Sequence, residues 1–171
     1  PVFASTLGAN VVAVRIAANP SKGCDASAFY TETITGNPVP IGEASPANAF
    51  ACNNASFTFT LGTTNNVTGT TYAITAQSSN PNLTGSATVT GNTISGNFAN
   101  SSTSNQSITF TIVPTGPAPT GCTGAAFIGT LTVYPAVGAT AGSNSPVCPN
   151  TPLNLTSSGN GGTGAYTYNW S

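Results

Sequence analysis

Few side chains in this 171-residue chain could take part in chemistry: it has four cysteines, three carboxylates, two basic residues and no histidine. Without histidine, neither a Ser-His-Asp nor a Cys-His nucleophilic centre can form within the chain. Glu32 and Glu43 are a carboxylate pair of the kind a glycosidase uses, but the repeat in this sequence puts them in different units, so we expect solvated surface groups. We expect Lys22 to be a loop lysine rather than a partner of asparagine in an isopeptide bond. The sequence therefore predicts no catalytic residues and no enzyme.

The same counts argue against several ligands. Zinc sites need cysteine or histidine ligands at short spacing, and even the nearest two cysteines, Cys122 and Cys148, are far apart in sequence. Calcium sites need clustered oxygen ligands, usually carboxylates, and the three carboxylates of this sequence form no acidic cluster. Two basic residues are too few for specific nucleic-acid binding. No apolar run approaches the ~20 residues of a membrane helix. We expect no metal, no cofactor, no nucleic acid and no membrane span, and any export signal to have been removed or to lie outside this segment.

Charge is nearly absent from the chain. Only 3% of the residues are charged, against about a quarter in ordinary soluble domains, and all five lie in the first quarter of the sequence: Arg15, Lys22, Asp25, Glu32 and Glu43. A net charge of −1 favours self-association over a dispersed cytosolic state. This composition indicates a protein of a surface or a fibre.

The elements that would position these residues are strands. Short stretches alternate apolar residues with Thr, Ser or Asn, and Gly, Asn and Pro clusters separate them. They are "SFTFTL" (56–61), "TYAIT" (71–75), "SATVT" (86–90), "NTISGNF" (92–98), "SITFTIV" (107–113), "GTLTVY" (129–134) and "LNLT" (153–156). Gly91-Asn92 between two of them predicts a tight hairpin. The pattern predicts an all-β sandwich or barrel.

The cysteines reveal an internal repeat. Cys24 and Cys122, which we name the closing cysteines, each follow a glycine and precede Ala-Phe and a Thr-rich strand that ends at proline. Cys52 and Cys148, the opening cysteines, each have an asparagine two residues later and a tyrosine twenty residues later. Both pairs give a period of about 97 residues. The sequence therefore predicts tandem modules.

The period sets the domain boundaries. We expect residues 1–38 to be the C-terminal part of a preceding module, 39–135 a complete module, and 136–171 the N-terminal part of a following one. A unit of this size suits an immunoglobulin-like antiparallel β-sandwich. If the two partial modules are ordered, missing sequence or strands of another chain must complete them.

Disulfides would brace such modules. Cys52 and Cys122 lie near the two ends of the complete unit, so a bridge between them would close a loop of about 70 residues and contribute roughly 4 kcal/mol. We therefore predict a Cys52–Cys122 disulfide, with the partners of Cys24 and Cys148 outside the segment or in another chain. Pairing Cys24 with Cys52 and Cys122 with Cys148 is the alternative that four cysteines leave open. Disulfides imply an oxidising, extracellular location.

Three stretches resemble a known family: "FACNNASFTFTL", "SNSPVCPNTPLNLTSSG" and "ITFTIVPTGPAPTGCTGAAFIGTLTVYP". They are similar to the PKD-like and immunoglobulin-like repeats of very large secreted surface proteins of Bacteroidota, including gliding-type adhesins. The resemblance implies β-sandwich modules in series, export by the type IX secretion route and a cell-surface or extracellular role. It implies no catalytic residues. One difference is Ile74, which stands where the third unit has Trp170, the usual core residue of such a strand.

Two functions follow from these features. The first is a disulfide-braced structural spacer in a long adhesin or filament, whose partners are neighbouring repeats of the same or an identical chain. The second is an accessory carbohydrate-binding module of a secreted enzyme, with Tyr168 and Trp170 as candidate contacts to surface glycans. Their period-two placement on a strand favours packing in a core over sugar binding. Seven N-x-Ser/Thr triplets are possible N-glycosylation sites, and most are expected by chance in so Asn-rich a chain. They begin at Asn54, Asn66, Asn82, Asn100, Asn105, Asn154 and Asn169.

Overall fold

The computed structural model describes residues 8–162 and 164–170. These residues form twelve strands and one short 3-10 helix, Pro20–Lys22, and they contain no α-helix. The strands are β1 Gly8–Val14, β2 Tyr30–Gly36, β3 Gly42–Ser45, β4 Asn48–Ala51, β5 Ser56–Thr63, β6 Thr71–Gln77, β7 Leu83–Thr90, β8 Thr93–Asn100, β9 Gln106–Thr115, β10 Phe127–Val133, β11 Gly138–Ser143 and β12 Leu155–Asn160. The prediction of an all-β fold built on antiparallel sheets is confirmed.

Strands β3 to β10 form a sandwich of two four-stranded sheets, ordered β3-β5-β8-β7 and β4-β10-β9-β6. Alternation along each strand decides which side chains face the partner sheet. In β5, Phe57, Phe59 and Leu61 are buried while the threonines between them are exposed. The hairpin at Gly91-Asn92 joins β7 to β8, and Gly91 has the positive φ (60°) that such tight turns require.

Aromatic side chains dominate the core between the two sheets. Phe57, Phe59, Phe98 and Phe110 form a cluster with ring centroids 5.7–6.2 Å apart. Such pairs contribute about 0.5–1.5 kcal/mol each beyond the burial of their area. Aliphatic residues from both sheets fill the remaining space: Leu61, Leu83, Ile94, Ile108, Ile112, Leu131 and Val133.

One strand pair of the sandwich is parallel. β4 joins the edge of the second sheet beside β10, with Asn48 opposite Thr130 and Ala51 opposite Val133. The other strand pairs of the described part of the chain are antiparallel. Because β4 and β10 run in the same direction, the residue after β4 lies at the carboxyl end of β10.

Two hairpins flank the sandwich. β1 pairs with β2 as β9 pairs with β10, and β11 pairs with β12 as β3 pairs with β5. Large apolar side chains of both hairpins are exposed, among them Val14 (63%) and Leu155 (52%). Neither hairpin is joined to a second sheet among the described residues.

Candidate functional site

Ionisable groups are scattered over the structure. Glu32 on β2 and Glu43 on β3 are exposed, and so is Lys22 in the 3-10 helix. Residues 8–162 and 164–170 contain no group of three or more His, Cys, Asp or Glu side chains that could hold a metal ion. In that same part of the chain, no helix is long and apolar enough to cross a membrane. The notable features instead lie at the two ends of the sandwich.

We call these ends the entry pole, where Pro40 and the loop around Cys122 lie, and the exit pole, where Cys52, Tyr134 and Pro135 lie. At the entry pole the Cys122 carbonyl accepts a hydrogen bond from the Gly116 amide at 2.9 Å. A side chain on Gly124 would overlap the carbonyl oxygen of Pro40, which is itself buried. The closing-cysteine loop is therefore packed directly against the first residues of the module.

The two closing cysteines have the same local structure. The Cys24 carbonyl accepts from the Asn19 amide at 2.9 Å, as that of Cys122 accepts from Gly116, and in both loops proline follows the donor residue. The glycine before each cysteine is left-handed, with φ of 65° before Cys24 and 55° before Cys122. The predicted correspondence of the two loops is thus matched in backbone geometry.

The opening cysteines match in the same way. Cys52 accepts a hydrogen bond from the Ala55 amide at 3.0 Å, and Cys148 accepts one from Thr151 at 3.1 Å. The third residue of each turn is an asparagine with positive φ, 58° at Asn54 and 65° at Asn150. Asparagine tolerates this left-handed conformation better than most residues do. This explains why asparagine follows each opening cysteine at the same distance.

The predicted Cys52–Cys122 disulfide is not formed, and all four cysteines are free. Cys52 follows β4 at the carboxyl end of β10, whereas Cys122 precedes the amino end of β10. The seven residues of β10 span about 20 Å, while bridged cysteines need Cα atoms within about 7 Å. Cys52 and Cys122 therefore lie at opposite poles of the sandwich. The reason is that β4 and β10 are parallel, and Cys52 follows β4 whereas Cys122 precedes β10.

The alternative connectivity is not formed either. Cys24 lies at the loop end of the β1–β2 hairpin, beyond the Val14–Tyr30 pair, and Cys148 lies at the loop end of β11–β12, beyond Ser143–Leu155. In each hairpin it is the opposite end that continues into the complete module. Cys24 and Cys148 therefore each lie at the end of a hairpin that does not continue into the sandwich.

Among residues 8–162 and 164–170, Asn100 is the one buried polar residue, and its sequence context does not predict this burial. Its Nδ2 donates to the carbonyls of Ser104 (2.8 Å) and Val133 (2.9 Å), and its Oδ1 accepts from the amide and hydroxyl of Ser102. It therefore ties the β8–β9 loop to the end of β10 at the exit pole. Its N-x-Ser triplet looked like six others, so only burial distinguishes it.

Tyr72 shows how an aromatic residue on β6 is used in the complete module. It packs at the edge of the core, 6.4 Å from the ring of Phe127 in a T-shaped arrangement. Burial raises the pKa of its phenol, and the negative charge of Glu43 adds to the rise. Ile74, two residues later, also packs against the core.

Tyr168 and Trp170, the predicted glycan contacts, lie against the β11–β12 hairpin. They line a shallow cavity of about 300 Å³ together with Ala139, Ala141 and Ser157. Tyr168 is 39% and Trp170 51% exposed. In the repeat they correspond to Tyr72 and Ile74, which are partly buried and pack against the core of the complete module.

The poles also carry the contacts between the sandwich and its flanking hairpins. At the entry pole, Asn37 Nδ2 donates to Thr120 Oγ1 at 2.5 Å. At the exit pole, the Gly162 amide donates to the Pro135 carbonyl at 3.2 Å. A cavity of about 450 Å³ opens there, lined by Cys52, Asn53, Tyr134, Pro135, Ala136, Val137 and Gly162. Each opening or closing cysteine of the sandwich thus lies at a junction with a flanking segment.

Comparison with known proteins places the sandwich in a family. A family model described as a PKD-like domain matches residues 49–137, just over half of the chain. No significant match to the chain is found among curated proteins or solved structures.

Proposed function

The chain belongs to the PKD-like domain family, and we propose that it is part of a long extracellular array in which such modules act as structural spacers. In this proposal residues 1–38 end a preceding module, 39–135 form a complete one and 136–171 begin the next. PKD-like domains are generally non-catalytic and typically occur in extracellular proteins. They serve as structural or binding modules.

One observation carries the proposal: each flanking hairpin reproduces a strand pair of the complete sandwich. β1–β2 corresponds to β9–β10, the end of a module, and it precedes the sandwich. β11–β12 corresponds to β3–β5, the start of a module, and it follows the sandwich. The turns at Cys52 and Cys148 support the same assignment.

We further propose that the array belongs to an adhesin or surface filament of the kind found in Bacteroidota and exported by the type IX route. The near absence of charge supports packing against neighbouring repeats of the same or an identical chain. A spacer needs only stable units that tolerate one another, because each repeat contacts its neighbours alone.

A second candidate is an accessory carbohydrate-binding module. The half-exposed rings of Tyr168 and Trp170 favour it, since sugars stack on accessible aromatic faces. The positions of Tyr72 and Ile74 count against it, because both residues are partly buried against the core of the complete module. In a completed third module, the corresponding rings are expected to pack against a core in the same way. We therefore place this function second.

Small-angle X-ray scattering tests the spacer proposal on the 171-residue chain and on a longer chain, the tandem chain, in which residues 39–135 are repeated once after residue 135. The ten residues of β9 indicate a module about 35 Å long. We expect the maximum dimension to increase by about that length, whereas side-by-side packing of the two copies would contradict a linear array.

Glycan-array binding separates the second candidate from the first. If the 171-residue chain binds glycans and Trp170→Ala abolishes the binding while Phe50→Ala does not, the carbohydrate-binding function is supported. Phe50 is the matched control because its ring is also exposed (63%) but lies on the sandwich. A spacer is expected to give no specific signal with any of the three proteins.

A further inference from the structure

We propose that the opening cysteine of each module forms a disulfide with the closing cysteine of the next, so that each module junction is covalently bridged. The inference rests on the proposed array of modules. The bridge lies between two modules rather than within one. Because Cys52 and Cys122 lie at opposite poles of the sandwich, each one faces a different neighbouring module.

At the exit pole, Cys52 lies beside the first residues of the following module. Cys52 is exposed and lines the junction cavity together with Ala136, Val137 and Gly162, which belong to the following module. β3 of the complete module begins at Gly42 and β11 of the next begins at Gly138. Counting back two residues from each glycine, Ala136 occupies the place of Pro40. Cys52 therefore shares a cavity with the first residues of the next module.

The entry pole shows what packs on those first residues in a complete module. Pro40 is buried under the Cys122 loop: its carbonyl lies against Gly124, and its Cδ would be 3.6 Å from a Cβ on Gly116. The closing-cysteine loop of the following module is thus expected to pack on Ala136. Because Ala136 and Cys52 line the same cavity, the closing-cysteine loop of the following module would lie in the cavity that contains Cys52.

At the junction with the preceding module, the hydrogen bond between Asn37 and Thr120 also places a residue of one module beside a cysteine of the next. Asn37 precedes Pro38 as Tyr134 precedes Pro135, so Asn37 is the exit residue of the preceding module. Its side chain is hydrogen-bonded to Thr120 Oγ1, which is also 3.8 Å from Cys122 Sγ. Its counterpart Tyr134 lines the Cys52 cavity. An exit residue is therefore observed beside a closing cysteine at one junction and beside an opening cysteine at the other.

The proposal accounts for the four free thiols. In this proposal the partners of Cys24 and Cys122 would precede residue 1. The partners of Cys52 and Cys148 would follow residue 171. No two cysteines in the chain are then partners, and all four are free. On oxidation, two Sγ–H bonds break and one Sγ–Sγ bond forms, and the two protons and two electrons pass to a disulfide oxidant, which is reduced to two thiols.

The tandem chain tests this pairing because its junction, Tyr134-Pro135-Val39-Pro40, has the form of the natural Asn37-Pro38-Val39-Pro40. After oxidation with oxidised glutathione, non-reducing peptide mapping by mass spectrometry should find Cys52 of the first copy joined to Cys122 of the second. Cys122→Ser in the second copy should abolish the bridge, and the same change in the first copy should leave it intact.

If Cys52 of the first copy stays a thiol in the folded tandem chain, or pairs within its own copy, the inference is overturned. The natural 171-residue chain gives an independent measurement, since the same oxidant should produce no intrachain bridge among its four cysteines. An elongated tandem chain without the cross-junction bridge would refute the disulfide and leave the spacer function standing. A compact tandem chain would refute the spacer.

Discussion

Replacing Asn100 by alanine removes a polar centre from the exit pole of the sandwich. The side chain makes four hydrogen bonds, two as donor and two as acceptor, and the one to the Val133 carbonyl lies in the core. Bonds of this kind contribute about 0.5–1.5 kcal/mol each, and a buried acceptor that loses its donor costs more. Because Ser102 and Ser104 lie near solvent and can turn to water, we expect Asn100→Ala to lower the free energy of unfolding by about 2–4 kcal/mol.

Urea unfolding of the whole chain, followed by far-UV circular dichroism, measures this loss. In a thermal melt it corresponds to a decrease in Tm on the order of 10–30 °C for a domain of this size. Asn97→Ala is the matched control, since Asn97 lies on the same strand, is exposed and makes one side-chain hydrogen bond, to Asn54 Oδ1 at 2.8 Å. We expect the control to lose less than about 1 kcal/mol. Equal losses in the two variants would refute the role given to Asn100.

Three further predictions concern the core and the entry pole. Gly124→Ala should lower the unfolding free energy by about 1–3 kcal/mol because its Cβ would overlap a backbone carbonyl, whereas Gly116→Ala, whose nearest contact would be 3.4 Å, should be nearly neutral in the same urea titration. Phe110→Ala, at a fully buried ring, should cost about 3–5 kcal/mol in calorimetry, and a loss under 1 kcal/mol would contradict the aromatic core. Burial and, secondarily, the charge of Glu43 raise the pKa of Tyr72 above its ordinary value of 10.0. The stabilisation linked to the protonated Tyr72 phenol is therefore complete below pH 10 and is lost as pH rises further. In denaturant titrations between about pH 9 and 12, Tyr72→Phe should reduce this loss of stability.

The sequence predicted the strands well where alternation was strict. β5, β8, β9 and β10 lie close to the predicted stretches because Phe or Ile alternates there with Thr or Ser. β3 and β4 were not predicted, since four-residue strands such as "GEAS" and "NAFA" carry too few alternations to stand out from a loop. Pairing with longer neighbours, rather than local pattern, makes them strands.

The cysteine repeat predicts local geometry better than it predicts a disulfide: the turns and loops at the cysteines match in pairs, while the structure shows four free cysteines. The turn at Cys52 and the loop at Cys122 are set by nearby Asn, Gly and Pro residues, so their geometry could be anticipated. Which pole each one occupies depends on the direction of β4 beside β10, a long-range property that spacing does not contain. The buried hydrogen bond of Asn100 cannot be predicted from the sequence either, because its acceptor, the Val133 carbonyl, is 33 residues away along the chain and is brought near only by the fold.

The parallel pairing of β4 with β10 has a mechanical consequence. Tension along an array would draw the start of β4 towards one neighbour and the end of β10 towards the other, so the two strands would be pulled past each other along their length. Under such shear every bond of the ladder is loaded at once, whereas an antiparallel pair pulled from one end would open bond by bond. In an array whose cysteines are reduced, the short strand Asn48–Ala51 would therefore be one of the strands that resist extension of a stretched module.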